Sequence, residues 1–396
     1  MKPLDGILVL DLSRILAGPL CTQRLADLGA RVIKVEPAEG DATRGFGPPF
    51  ERGESPYFMA FNRGKESVVL DLKRPEGIAF VERVLARADV LVDNFRPGVM
   101  ERLGLDEARI REIAPEVVHL SVRGFALDGP RSREAAFDLA IQAESGVMAM
   151  TGEEGGEPCR VPFSASDLSA ACYGAEAVLA ALFRRERAGR GARIEVSLFD
   201  GTLAFTSFHA QTILLGGPPP ERLGNRHPNL APYQVFATSD GHLVLAVATD
   251  EQWRRFLALE AVPAGLDREE WRRNGGRTAE REALAAALAG VFAGADTDTW
   301  CRRLDEADVP YGRVRGLDDA LAEVATRDDG FVTTRPHAVL GPTRVLGGPA
   351  RIDGTRPTAD RGAPALDEHG AALLAEFAAD EAEARRWNEA RGAGPR

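Results

Sequence analysis

The sequence predicts the α/β class: a large domain built on a parallel sheet, followed by a smaller α+β domain. Three observations lead there. Short apolar runs of buried-strand type recur through the first part of the chain, and helix-length segments alternate with them. A Gly- and Pro-rich stretch from Gly216 to Pro220 then breaks that pattern. From Gln234 a hairpin followed by helices replaces it.

Gly6–Leu12 reads as the first strand, with Ser13–Pro19 as a turn and a helix from Pro19 to Leu28 stopped at Gly29. Arg31–Glu36 is the second strand, ended by Pro37, so strand, helix and strand form the start of a parallel sheet. Residues 38–62 read as a long loop, rich in Gly, Pro and aromatic residues, and long loops in compact domains are often functional. Ser67–Leu72, Asp89–Asn94 and Val117–Val122 are further strands, with a helix opening at Pro75. Helices are expected from near Asp138 to Gly146, from Asp167 to Phe183, and from Asp200 to Leu215, with a strand at Arg193–Leu198. Gln234–Thr238 and His242–Ala248 form the hairpin, helices lie near 250–259, 278–292 and 297–307, and a last helix covers Glu368–Glu389. The tail Arg391–Arg396 is expected to fray.

Composition narrows the function classes. A formal net charge of −11 argues against general nucleic-acid binding, though not against one anionic ligand in a local basic pocket. Four scattered cysteines (Cys21, Cys159, Cys172, Cys301) make neither a disulfide scaffold nor a zinc site. No basic leader with an apolar core and no 18-residue apolar run is present, so a cytoplasmic protein outside the membrane is expected. The dinucleotide fingerprint GxGxxG is missing after the first strand, and Glu36 alone does not replace it.

The chemistry centres on Asp167. It stands where a loop rich in Gly and Glu gives way to a long small-residue helix, and Ser166 or Asp167 can cap that helix. A carboxylate there is favoured as the anion by the helix dipole. Spacing alone favours a plain cap. Asp138, 29 residues earlier, also stands near a helix start, so the two carboxylates are either independent caps or partners in one cleft. Lys65, Lys73, Arg96, Arg102 and Arg123 fall at or after strand ends, where they form either a solvated rim or a set of cations for a phosphorylated ligand. His227, in a loop ahead of Pro228, reads first as a hydrogen-bonding turn residue.

Several motifs in order carry a resemblance. They are Pro3–Gly6, Ala17–Pro19, Gly29–Glu36, Asn62–Lys65, Asp93–Gly98, Gly152, Asp167, Gly191, Asp200–Gly201 and Pro232–Tyr233. Together they resemble the class III coenzyme A transferases, the family of formyl-CoA transferase and carnitine CoA-transferase, whose fold alpha-methylacyl-CoA racemase shares. The resemblance implies a Rossmann-like large domain with an inserted small domain, in an interlocked homodimer. The implied division is 1–215 for the N-terminal part of the large domain, 216–232 as linker, 233–325 as small domain and 326–396 as the return to the large domain.

It also implies transfer of CoA from an acyl-CoA donor to a free carboxylic acid, through an aspartyl anhydride and an aspartyl-CoA thioester on Asp167. Asp138, Tyr57 and Leu16 become active-site neighbours. Ile15, Leu70, Lys73, Asn94, Phe95 and Arg102 become CoA contacts, with acyl-CoA as substrate and neither a tightly bound cofactor nor a metal. Some members carry an Arg where this chain has Pro37, and Arg44 is the candidate replacement. Some carry a Gln where this chain has Leu16, which argues against a small oxalate-like acceptor held by that Gln. Racemases carry a His immediately before the residue matching Asp138. Here it is Phe137, which cannot move a proton, so transferase is favoured over racemase. A non-catalytic acyl-CoA-binding homologue is the remaining alternative. Arg226 and Arg63 are candidate holders of a substrate carboxylate.

Overall fold

The computed structural model describes residues 2–390, so the expected fraying of the tail lies outside the described residues. The first part of the chain runs β1 (Leu8–Asp11), α1 (Ala17–Asp27), β2 (Arg31–Glu36), α2 (Pro56–Asn62), β3 (Lys65–Val69), α3 (Pro75–Leu85), β4 (Val90–Asp93), α4 (Val99–Arg102), α5 (Glu107–Ile113) and β5 (Val118–Arg123). It continues with α6 (Asp138–Glu144), α7 (Val147–Met150), α8 (Ala165–Ala188), β6 (Ala192–Ser197), α9 (Leu198–Phe205) and α10 (Phe208–Leu214). The six strands pair in parallel in the order β3-β2-β1-β4-β5-β6. This is the doubly wound Rossmann-like order, which reverses between β1 and β4 and opens a crevice at their carboxyl ends.

The strands read as continuous apolar runs because both faces of the sheet are covered. Val9, Val32, Val90, Val92, Val118 and Leu120 face a core shared with α1 and α8. Their neighbours Leu10, Ile33, Val68 and Leu91 face another, shared with α3 and with the helices Gly370–Phe377 and Glu381–Ala390. Phe80 meets Phe377 and Trp387 edge-on there. The small residues of α8 let it lie close to the sheet. A Cβ on Gly174 would stand 3.0 Å from Leu120 and 3.6 Å from the Cys21 sulfur.

The chain forms two compact units: residues 1–147, 160–219 and 324–396 in one, and 148–159 with 220–323 in the other. Residues 148–159, which the sequence places in the large domain, group with the second unit through bonds from Gly224 to Gly152 and from Arg222 to Ala149. The second unit carries an antiparallel sheet of β7 (Tyr233–Ala237), β8 (His242–Ala246) and β9 (Tyr311–Arg313). Trp253, Trp271, Trp300, Phe256 and Phe292 fill its core.

Several elements depart from expectation, among them an unanticipated hairpin of Val332–His337 and Gly341–Leu346. The region read as loop before β3 contains α2, capped by Ser55 and started by Pro56. The helix expected from Asp200 to Leu215 is broken at Ser207, whose φ of 48° no helix accommodates. The last helix is two helices.

Candidate active site

The carboxyl ends of β1 and β2 carry a buried, charge-matched network. The Asp11 carboxylate meets the Lys65 ammonium at 2.9 Å, Lys34 meets Asp41 at 3.0 Å, and Arg44 meets Glu36 at 2.8 Å. Burial alone would raise Asp11, but Lys65, Lys34 and the bonds from Ser13 and Thr22 outweigh it and hold the group at about 2.

That network fixes the turn ahead of α1. Ser13 donates its N–H to Asp11 and its carbonyl accepts from Lys34. Asn94 accepts from the Arg14 N–H at 2.8 Å and donates to the Arg14 carbonyl at 2.7 Å. The Ile15 N–H points at Asp41. Ile15 has φ 69°, which a β-branched residue avoids unless its surroundings impose it. The next residue, Leu16, is buried and precedes the first turn of α1.

Asp167 sits in the first turn of α8. The residue in the cap position is Ser164, whose side chain makes no capping bond, so neither Ser166 nor Asp167 is the cap expected from sequence. The free N–H of Ser166 is taken instead from across the site, by Asp138 at 3.0 Å. The Ser166 hydroxyl donates to the same oxygen at 2.7 Å. The two carboxylates are therefore partners at one place. Burial first, then the Asp138 charge, push Asp167 up to about 7, while the Ala17 N–H at the start of α1 partly offsets them. This corrects the expectation of a fully ionised group. The helix N-terminus favours the anion, but desolvation and a like charge outweigh it.

Tyr57 lies close enough to the pair to feel both charges. Burial pushes its phenol up, the Ser164 hydrogen bond opposes this, and the Asp167, Asp138 and Asp41 charges add to it, so the phenol stays neutral. Phe46 and Phe61 pack edge-on against its ring.

A cleft of ≈ 500 Å³ opens at the carboxyl ends of β2, β3 and β4, lined by Leu70, Lys73, Phe95 and Arg14 among others. A second, of ≈ 660 Å³, shares Leu72, Lys73, Val99 and Leu103 with it and adds Arg102. Arg14 was not a sequence candidate. Its exposed guanidinium lies 5.5 Å from the Phe95 ring centre, and no acid pairs with it among the described residues. Asn94 holds the Arg14 backbone at the cleft, a placement the sequence does not show.

Several sequence candidates have other employment. Lys65 is buried on Asp11, and Arg123 is spent on Asp93 and the Phe95 carbonyl, which leaves Lys73, Arg96 and Arg102 of the expected cation group at the surface. Arg44 cannot stand in for a missing cation at Pro37, since it is bound to Glu36 and the Pro364 carbonyl and lies 3.6 Å from the Phe58 ring centre. Arg63 is paired with Asp27, and Arg226 with Glu154 and Glu282, so neither is free to hold a substrate carboxylate. His227 accepts the Asn229 N–H at 3.1 Å, as a turn residue would. Among the described residues no cluster of His, Cys, Asp or Glu could hold a metal ion, and no helix is long and apolar enough to cross a membrane.

Known proteins match this arrangement over nearly its whole length. The sequence model of CoA-transferase family III covers residues 4–370. An acetyl-CoA:oxalate CoA-transferase from Acetobacter aceti is 40% identical, with 96% of this chain and 97% of the relative aligned. A succinyl-CoA:glutarate CoA-transferase from Mus musculus is 35% identical over 95% of this chain and 86% of its own. The crystal structure of a CAIB/BAIF family protein from Brucella suis superposes with a TM-score of 0.85 at 36% identity, covering 95% of this chain and 100% of that one. The chain belongs to CoA-transferase family III.

Proposed function

We propose that this enzyme moves CoA between carboxylic acids by covalent catalysis on Asp167. The ionised carboxylate attacks the donor thioester carbonyl, forming an acyl–aspartyl anhydride and releasing CoA thiolate. The thiolate attacks the aspartyl carbonyl, giving an aspartyl-CoA thioester and the free donor acid. The acceptor carboxylate then attacks that thioester to form a second anhydride, and CoA thiolate takes the acceptor acyl group and frees Asp167. No water enters the cycle, so the thioester bond energy is kept.

The observation that carries this reading is the placement of Asp167, desolvated in the first turn of α8 and facing the Ala17 N–H at the start of α1. That N–H faces the carboxyl group where charge develops. Leu70, Lys73, Asn94, Phe95 and Arg102, with Ile15 in the turn ahead of α1, are assigned to the CoA moiety, and Arg14 joins them. The relatives named above act on succinate, glutarate or oxalate, so a dicarboxylic acid is assigned as one partner.

The same reading takes the working form as a homodimer. Leu203, Phe205, Phe208, Ile213, Leu214 and Leu215 leave the apolar sides of α9 and α10 exposed, as a face covered by a second copy would be. A racemase reading lacks its second acid–base group, because Phe137 precedes Asp138.

The test is intact-mass spectrometry with succinyl-CoA, glutaryl-CoA and acetyl-CoA, trapping with hydroxylamine and mapping the peptide. An adduct on Asp167 is expected. Its absence with all donors, together with deuterium uptake at the donor alpha carbon, would move the assignment to a racemase.

A further inference from the structure

We propose that Gln142, Asp138 and Ser166 form a clamp that sets where the Asp167 carboxylate stands for attack. The inference rests on the reading of Asp167 as nucleophile and deepens it.

The segment Val161–Ala165 delivers the chain into α8, and of its side chains only Ser164, through Tyr57, makes a hydrogen bond toward the site among the described residues. Pro162 and Phe163 are exposed, and Ser164 makes no capping bond. Leu168 packs the end of the first turn against the core, but the residues that lead into it bury little apolar surface, so their backbone is placed by hydrogen bonds. Gln142, wholly buried one turn along α6 from Asp138, provides them. Its amide carbonyl accepts the Val161 N–H at 3.0 Å. Its amide nitrogen donates to the Phe163 carbonyl at 3.2 Å and to Asp138 Oδ2 at 2.8 Å. Asp138 Oδ1 then takes both the N–H and the hydroxyl of Ser166. Three backbone points across six residues are thus held from one face of α6, and Asp167 is the next residue in the chain.

Both Asp138 oxygens accept hydrogen bonds in this arrangement. Asp138 is therefore a positioning residue and not the acid–base group that a proton-transfer enzyme would need. Its bound geometry also keeps its negative charge in a fixed place beside the nucleophile. Releasing the clamp would let the first turn of α8 shift relative to the Ala17 N–H. A displacement of about 1 Å at a reacting group costs on the order of 100-fold in rate.

The experiment compares the full-length enzyme with Gln142→Leu and Ser166→Ala. Formation of the trapped Asp167 adduct is followed by rapid quench across a range of succinyl-CoA concentrations. Adduct amplitude counts competent sites, and the saturating rate constant reports chemistry per competent site. Gln142→Leu should lower that rate constant by about 10- to 100-fold, with half-saturation changed by less than about 3-fold. Ser166→Ala, which loses one of two bonds to the same oxygen, should lower it by roughly 3- to 10-fold. A purely structural role would reduce amplitude or melting temperature and leave the rate constant at the parent value, and that result in a folded variant overturns the clamp. If Gln142→Leu does not fold, Ser166→Ala decides alone. Absence of any adduct on parent Asp167 with succinyl-, glutaryl- and acetyl-CoA overturns the nucleophile assignment itself, which the variants cannot mimic.

Discussion

Asp11 and Asp167 are both carboxylates set against the same helix, α1, yet the chain surrounds them in opposite ways. Asp11, at the end of β1, receives Lys65, Thr22 and Ser13 and is held at about 2. Asp167, in the first turn of α8, faces a single backbone N–H and a second carboxylate and is pushed up to about 7. A matched charge serves structure, since its partners leave nothing for a ligand. An unmatched one is maintained at a cost in stability and is available for chemistry.

The sharpest break of this contrast is Asp167→Asn. Exchange of CoA between succinyl-CoA and a free acid should fall by about 10⁴-fold or more, because no other carboxylate can take over the covalent step. Urea denaturation should show the variant no less stable than the parent, since a like-charge contact with Asp138 is gone. Asp11→Asn should do the reverse. It strands the buried Lys65 ammonium and should cost about 3–5 kcal/mol in the same denaturation experiment.

Proton linkage separates the two sites by sign. Asp11 has a lowered value in the folded state, so its contribution is present above the ordinary carboxylate range and is lost as pH falls toward 2. Asp167 has a raised value, so the folded state keeps its proton longer than the unfolded chain does. Compared with Asp167→Asn, the parent should lose stability as pH rises from about 4 to about 7 and level off above. Activity should rise over the upper part of that window as the nucleophile ionises. Asp138→Asn should move the inflection to lower pH by removing the neighbouring charge, and an unmoved inflection would show that burial alone sets it. The smallest expected effect is at the cleft. Arg14→Ala should raise half-saturation for the acyl-CoA donor by about 3- to 10-fold, more at low salt than at high, with turnover little changed.

The sheet was legible because its strands are buried on both faces and carry an unmistakable apolar signature, with Arg31–Glu36 found at its true bounds. α2 was not, because its seven residues, PYFMAFN, show no helical period and lie among turn-formers. Asp167 could be singled out as a residue at a helix start, but not its protonation. That depends first on burial and then on Asp138, brought beside it by two helices packing. Lys65 and Arg123 looked like ligand cations because sequence shows a charge at a strand end and cannot show the acid beneath it. Gln142 left no trace in the sequence, since a glutamine on a helix is ordinary until both ends of its amide are seen to be bonded.

The turn ahead of α1 bears on how such a chain can change. Its supports come from Asp11, Lys34, Asp41 and Asn94, which lie on three different strands or in the segments that follow them. Altering one support leaves the others in place. Inserting one residue between Leu12 and Ala17 would throw all of them out of register together and flip the Ile15 backbone out of its left-handed conformation. The stretch works as a ruler: its length, more than its side chains, decides where the helix begins and where its first N–H points.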